Sequence, residues 1–184
     1  MLELLRIQEF KWIIYKADTL SAPDTSDLEI QAVRARDRLT KEQWRFLRRT
    51  WSPLRIWYLL RLRGWGVGWV FLVKTGGEFA HWTFVTPARR YRKELPVMTE
   101  SKALLLGPSF TEEAFRGRSI YPRMLRHVVN DLAGQGYGPF YINVRPDNAP
   151  SMRGIEKAGF ARCGVWAGHK RGLNLSVTSR RVGD

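Results

Sequence analysis

The chain has 184 residues, 44% of them hydrophobic, which suits a single domain spanning residues 1–184 with a sizeable core. Lys and Arg number 31 against 17 Asp and Glu, a formal net charge of +14, so anionic partners are favoured: a phosphorylated small molecule, nucleic acid or acidic lipid headgroups. One cysteine, Cys163, excludes an internal disulfide framework and a cysteine-based metal site, and His81, His127 and His169 are too scattered to suggest metal ligands.

The first residues lack a basic segment followed by a long apolar core, so no secretory leader is expected. The most apolar window, Ile56 to Val73, is broken by Arg61, Arg63 and three glycines, so no membrane span is expected either. The expected localisation is cytoplasmic. The basic excess is concentrated between Gln31 and Arg63, and again at Arg89-Arg90-Tyr91-Arg92-Lys93.

In chain order, Phe10 to Ala17 is rich in aromatic and β-branched residues and predicts a strand. Leu28 to Leu39 predicts a helix. Thr40-Lys41-Glu42-Gln43 has the form of a capping box and opens a second helix, with Trp44, Leu47 and Trp51 on one face and Pro53 stopping or bending it. Leu54 to Leu62 reads either as a further helical turn or as the start of a strand. Gly66 to Lys74 and Phe79 to Val85 predict two strands joined by the turn Thr75-Gly76-Gly77-Glu78. Pro87 to Ser101 is a long basic loop, and long loops often carry function.

Lys102 to Phe110 predicts another strand. Met124, Leu125, Val128, Val129 and Leu132 then recur at helix spacing, giving a helix from Tyr121 to Ala133. Between the two lies Arg116-Gly117-Arg118-Ser119-Ile120-Tyr121-Pro122. Pro122 suits the first turn of a helix, whose free N–H groups and dipole favour an anion, and two arginines flank the turn. This stretch is either an ordinary strand-to-helix turn with surface arginines or a phosphate site. Phe140 to Val144 predicts a strand and Pro150 to Ala158 a short helix ended by Gly159. Phe160 to Ala167 and Leu173 to Thr178 predict two last strands. The resulting order is β-α-α-β-β-β-α-β-α-β-β, an α/β fold with a mixed, mostly antiparallel sheet flanked by helices.

Asn148, Ser151 and Glu156-Lys157-Ala158-Gly159-Phe160 follow the Arg116 turn in an order and at a distance that resemble the GCN5-related N-acetyltransferase (GNAT) superfamily. The resemblance lies in the motifs between Leu104 and Trp166 and in the element order elsewhere. It implies an enzyme: an acyl-CoA-dependent N-acetyltransferase that moves an acetyl or other acyl group to an amine, with acetyl-CoA or another acyl-CoA as co-substrate. An amino sugar or other small anionic acceptor suits the basic surface. It further implies that Arg116, Gly117, Arg118, Ser119, Ile120 and Tyr121 cradle the diphosphate. Backbone near Ser109 to Thr111 would hold the pantetheine arm, a backbone N–H near Phe110 or Thr111 would polarise the carbonyl, and Asn148 and Ser151 would reach the cofactor from the next strand end.

Three positions depart from the family pattern. Ser119 and Tyr121 stand where small residues, mostly glycine, are usual, and Ile155 stands where many members carry a tyrosine that protonates the departing thiolate. The candidate bases are Glu112 and His81, with Glu113 beside the first. Each has an ordinary alternative: exposed carboxylates balancing Arg116 and Arg118, and a packed strand histidine. A non-catalytic CoA-binding module and a basic nucleic-acid or membrane-surface binder stay open as alternatives, as does a homodimer.

Overall fold

The computed structural model describes residues 8–57, 68–91, 100–171 and 174–181. Its elements are β1 (Gln8–Ala17), β2 (Glu29–Arg34), α1 (Lys41–Leu47), α2 (Pro53–Trp57), β3 (Trp69–Thr75), β4 (Glu78–Pro87), β5 (Leu104–Thr111), α3 (Ile120–Gly134), β6 (Phe140–Val144), α4 (Ala149–Ala158), β7 (Ala161–Arg171) and β8 (Asn174–Arg181). The eight strands form one sheet in the order β2-β3-β4-β5-β6-β1-β7-β8. All neighbours are antiparallel except β5 and β6, so the sheet is mixed as expected.

One expected element changes type. Leu28 to Leu39 does not form a helix: its first half is β2, paired from Glu29 with Lys74 to Arg34 with Trp69. The Ala, Arg and Gln residues of this stretch favour helix, but that preference is weak. The free edge of β3, a run of Val, Phe and Leu, supplies a ladder and a buried face that outweigh it. Pro53 also behaves differently. It opens α2 instead of ending the preceding helix, which is consistent with proline at a first helical turn. Trp51 lies past the end of α1 yet still packs edge-on against Trp82, with ring centroids 5.6 Å apart. Residues 58–62 of the ambiguous Leu54 to Leu62 stretch, the first residues of the expected Gly66 strand and residues 92–99 of the basic loop lie outside the described residues.

The capping box forms as expected. Thr40 Oγ1 accepts from the Gln43 backbone N–H at 3.2 Å, and the Gln43 side chain accepts from Thr40 N–H at 2.9 Å. The apolar stripe of α3 is buried against one face of the sheet. Ile120, Met124, Leu125, Val128, Val129 and Leu132 meet Phe71, Leu104, Leu106 and Ile142. Each such side chain contributes about 1.5–3 kcal/mol of transfer free energy. On the other face, α1 and α2 cover Val70, Leu72, Trp82 and Phe84 with Phe46, Leu47 and Ile56. No helix among the described residues is long and apolar enough to cross a membrane.

The N-terminal strand takes a place that its position in the chain does not suggest. β1 lies in the middle of the sheet, between β6 and β7. Beside it the sheet opens. β5 and β6 run parallel but pair only at Leu104 with Phe140 and Leu105 with Tyr141. Beyond that point the two strands part. β5 bulges away from β4 at the same level, where Thr83 faces Ser109 but Val85 faces Leu106. The extra length falls at Gly107 and Pro108, and proline has no N–H to give to a ladder.

Candidate functional site

A cavity of about 1170 Å³ fills the gap between the parted strands. Its walls come from β5 (Leu105 to Thr111), β6 (Ile142 to Val144), the start of α3 and one side of α4 from Pro150 to Lys157. It is an opening in the sheet itself, so ligands can meet backbone amides that no neighbouring strand has taken.

At one end lies the turn read from the sequence. Gly117 has φ +78° and Ser119 φ +55°, both left-handed, and α3 starts at Ile120. A Cβ on Gly117 would meet nothing within 4 Å, so the space over the turn is open to a ligand. Ser119 occupies the N-cap position but its side chain does not cap the helix. Instead Ser119 Oγ accepts from Lys157 Nζ at 2.7 Å. Among the described residues, the Gly117, Arg118 and Ser119 N–H groups have no backbone acceptor. These amides, the first amides of α3 and the helix dipole together form an anion cradle. Arg116, Arg145, Arg153 and Lys157 line the same cavity and place cations around it.

Not every residue of the turn faces the cavity. Arg118 lies over the Phe115 ring, its guanidinium carbon 5.3 Å from the centroid, outside the cavity wall. Arg116 does line it, and Nε donates to the Thr111 carbonyl at 3.2 Å, which fixes the side chain at the end of β5. Ile120 is buried under the cradle. Phe110 and Thr111 line the wall on β5. Asn148 caps α4 by accepting from the Ser151 N–H at 3.2 Å, and both residues also line the cavity. Capping and access to the cavity thus coexist at Asn148.

The candidate bases are placed differently. His81 is fully buried, and its two ring nitrogens meet only hydroxyls: Nδ1 lies 2.8 Å from Thr111 Oγ1 and Nε2 lies 2.8 Å from Thr83 Oγ1. Desolvation pulls its pKa down to about 3, so it is neutral at physiological pH. Thr83 Oγ1 donates onward to Ser109 Oγ at 2.9 Å. The neutral ring donates to one of these hydroxyls and accepts from the other. His81 is thus the centre of a chain of hydroxyls running from Thr111 to Ser109. Glu112 sits outside the cavity wall, with Oε1 buried 3.5 Å from Arg49 Nη1. The carboxylate balances Arg49, not Arg116 or Arg118 as the sequence suggested. Glu113 is exposed.

Sequence reasoning left open which way Tyr121 faces. The half-buried ring lines the cavity, lies 5.7 Å from the His81 ring and rests on Gly154, where an added Cβ would come within 2.7 Å of Tyr121 Cδ1. Its hydroxyl lies beside the hydroxyls of Ser109 and Ser151. Burial pushes its pKa up to about 12, although these two neighbours pull it back. Ile155 has no access to the cavity, being fully buried in the core under α3. Trp12, Trp51 and Tyr91 add aromatic rings to the lining.

No family model matches this sequence, and no curated protein is similar enough to count as a relative. Solved structures do match. A GNAT-family acetyltransferase from Colwellia psychrerythraea aligns with a TM-score of 0.61 at 12% identity, covering 96% of this chain and 57% of that one. A proposed GNAT-family acetyltransferase from Novosphingobium aromaticivorans aligns with a TM-score of 0.55 at 15% identity, covering 88% and 64%. AAC(6')-Iy, solved with the bisubstrate analog CoA-S-monomethyl-acetylneamine, aligns with a TM-score of 0.57 at 16% identity, covering 73% and 91%. The chain therefore spans less than two thirds of the first two structures. With these alignments, the parted β5 and β6 and the turn at the start of α3, the chain has the fold of the GCN5-related N-acetyltransferase superfamily.

Proposed function

We propose that this protein is an acyl-CoA-dependent N-acyltransferase. The observation that carries the reading is the coincidence of three features in one cavity: a gap in the sheet, an anion cradle at the start of α3 and a rim of Arg116, Arg145, Arg153 and Lys157. A diphosphate with a long, narrow polar arm fits that arrangement. The cradle amides would hold the phosphates, and the open edge of β5 at Ser109 and Thr111, facing away from β4, would hold the arm as an added strand does. Acyl-CoA, when bound, supplies an activated thioester.

The residues then act chiefly by position. Holding donor and amine in one cavity makes the reaction effectively unimolecular, which is worth up to about 7–11 kcal/mol of barrier. The Thr111 N–H, on the edge of β5 away from β4, would donate to a carbonyl that gains charge. His81 stays neutral and orients hydroxyls instead of taking a proton from the amine. With Glu112 outside the wall, the amine loses its proton to solvent in the cavity. Trp12, Trp51 and Tyr91 offer flat apolar faces in the same cavity. This supports an acceptor with one apolar face, such as an amino sugar, and the cationic rim supports one that carries negative charge.

The test is a panel of acyl-CoAs against amines, read by thiol release, beside calorimetry with acetyl-CoA alone. Binding with amine-dependent thiol release is expected. Binding without release for any amine would leave a CoA-binding module. No binding by folded protein would overturn the reading.

A further inference from the structure

The position that carries the proton donor in many GNAT proteins is Ile155 here, buried in the core. Thiolate departure from a thioester still needs a proton near sulfur. Two tyrosines line the cavity, Tyr91 and Tyr121, and the Tyr121 phenol lies beside Ser109 on β5, where the strands part. Two independent features of the structure serve it. The first is room. Gly154, on the inner side of α4, has no Cβ, and any Cβ there would strike the Tyr121 ring. Glycine inside a helix costs about 0.5–1 kcal/mol against alanine, so its place under the ring has a packing reason. The second is polar company. The hydroxyls of Ser109 on β5 and Ser151 on α4 lie beside the phenol and favour its ionised form. Thr83, His81 and Thr111 continue the line of hydrogen bonds behind Ser109.

We propose that Tyr121, from the start of α3, is the proton donor to the departing thiol in the reaction assigned above, on which this inference rests. As the C–N bond forms and the C–S bond breaks, the Tyr121 O–H proton moves to sulfur, giving a neutral thiol. The amine nitrogen loses one proton through solvent, and Tyr121 regains one, so the sum is thioester plus amine to amide plus thiol. The Ser109 and Ser151 hydroxyls stabilise the phenolate while it lasts. Burial keeps the phenol protonated at neutral pH, as an acid must be.

The experiment uses the Tyr121→Phe variant, which keeps the ring on Gly154 and removes only the hydroxyl. Turnover is compared with calorimetric binding of CoA and desulfo-CoA. The expected result is a fall in kcat of about 10²-fold, the usual size of a general-acid effect, with KM for acyl-CoA within about threefold. Wild type is expected to bind CoA about 3–10-fold more tightly than desulfo-CoA, one hydrogen bond to sulfur, and the variant to bind both alike. The binding comparison needs no turnover. A second variant, Gly154→Ala, is expected to displace the ring and lower kcat in the same direction with CoA affinity kept, and serves if Tyr121→Phe folds poorly. Unchanged kcat and an unchanged preference for CoA in Tyr121→Phe would overturn the proposal and leave the acyltransferase reading intact. A wild-type protein that binds no CoA would overturn both.

Discussion

Lys157 Nζ donates to Ser119 Oγ at 2.7 Å, joining the last turn of α4 to the left-handed residue that starts α3. The bond holds an ammonium beside amides that have no backbone acceptor, and so adds charge to the cradle. Lys157→Glu is expected to weaken acetyl-CoA binding by about tenfold at low salt, the effect of reversing one exposed charge near a diphosphate. The loss should shrink as ionic strength rises and the Debye length falls. Calorimetry at two salt concentrations checks it. Equal affinities for variant and wild type at low salt would remove Lys157 from the site.

Gly117 separates backbone shape from space. Its φ of +78° is rare for a branched side chain, while a Cβ there would touch no protein atom. Gly117→Val is therefore expected to strain the turn by about 1–3 kcal/mol and to lower Tm by roughly 2–10 °C. The chain should stay folded. Acetyl-CoA binding should be lost, because the turn can no longer present its amides and the side chain occupies the open space above them. A folded variant with wild-type affinity would place the anion elsewhere.

How far the sequence revealed this arrangement depends on the range of the interaction. Local signals were readable. Thr40 and Gln43 cap α1 reciprocally, Asn148 caps α4, and Gly159 ends it with φ +101°. Glu156 to Phe160, which carried the family resemblance, has a physical task at each end. Glu156 accepts from Tyr15 and Phe160 is buried in the main core. What could not be read depended on distant partners. β2 forms because β3 offers it an edge, and β1 reaches the centre of the sheet because β6 and β7 leave a slot there. The Tyr121 ring is seated on Gly154 on another helix, and no local pattern announces that contact. A glycine in the middle of α4 was the available signal.

The slot for β1 suggests a test of how that strand is held. Tyr15 on β1 donates to Glu156 Oε1 on α4 at 2.7 Å. Its pKa is raised to about 12, by burial first and by Glu156 second. Tyr15→Phe removes the bond but leaves Glu156 exposed to water, so no buried group is stranded. The expected cost is about 1 kcal/mol, or roughly 2–4 °C in Tm. Because the folded-state pKa is raised, this stability is present below about pH 10 and declines above it. The gap between variant and wild type in urea unfolding should therefore narrow at alkaline pH. A gap that widens there would contradict the assignment.

His81 makes the opposite prediction in acid. Its ordinary pKa is near 6.5, and burial among Thr83 and Thr111 lowers it to about 3. The unfolded chain therefore binds a proton between pH 6.5 and about 3 that the folded chain does not. Stability is complete above pH 6.5 and falls as the pH drops through that window, by about 1.4 kcal/mol for each unit once the unfolded histidine is charged. His81→Asn removes the titration. It also breaks the hydroxyl chain, so it should cost about 1–3 kcal/mol at pH 7. Its stability should then decline less steeply than that of wild type from pH 6.5 to 4, by about 1 kcal/mol per unit. Carboxylates titrate alike in both proteins and cancel in the comparison. Urea unfolding at pH 7, 6, 5 and 4 measures both slopes. Parallel slopes would mean that His81 accepts a proton while folded. In that case a rate limb near pH 6.5 that vanishes in His81→Asn would restore it as a base. If instead the slopes diverge as expected, His81 stays neutral at every pH where the protein folds and serves Thr83 and Thr111 as a hydrogen-bond partner, not as a base.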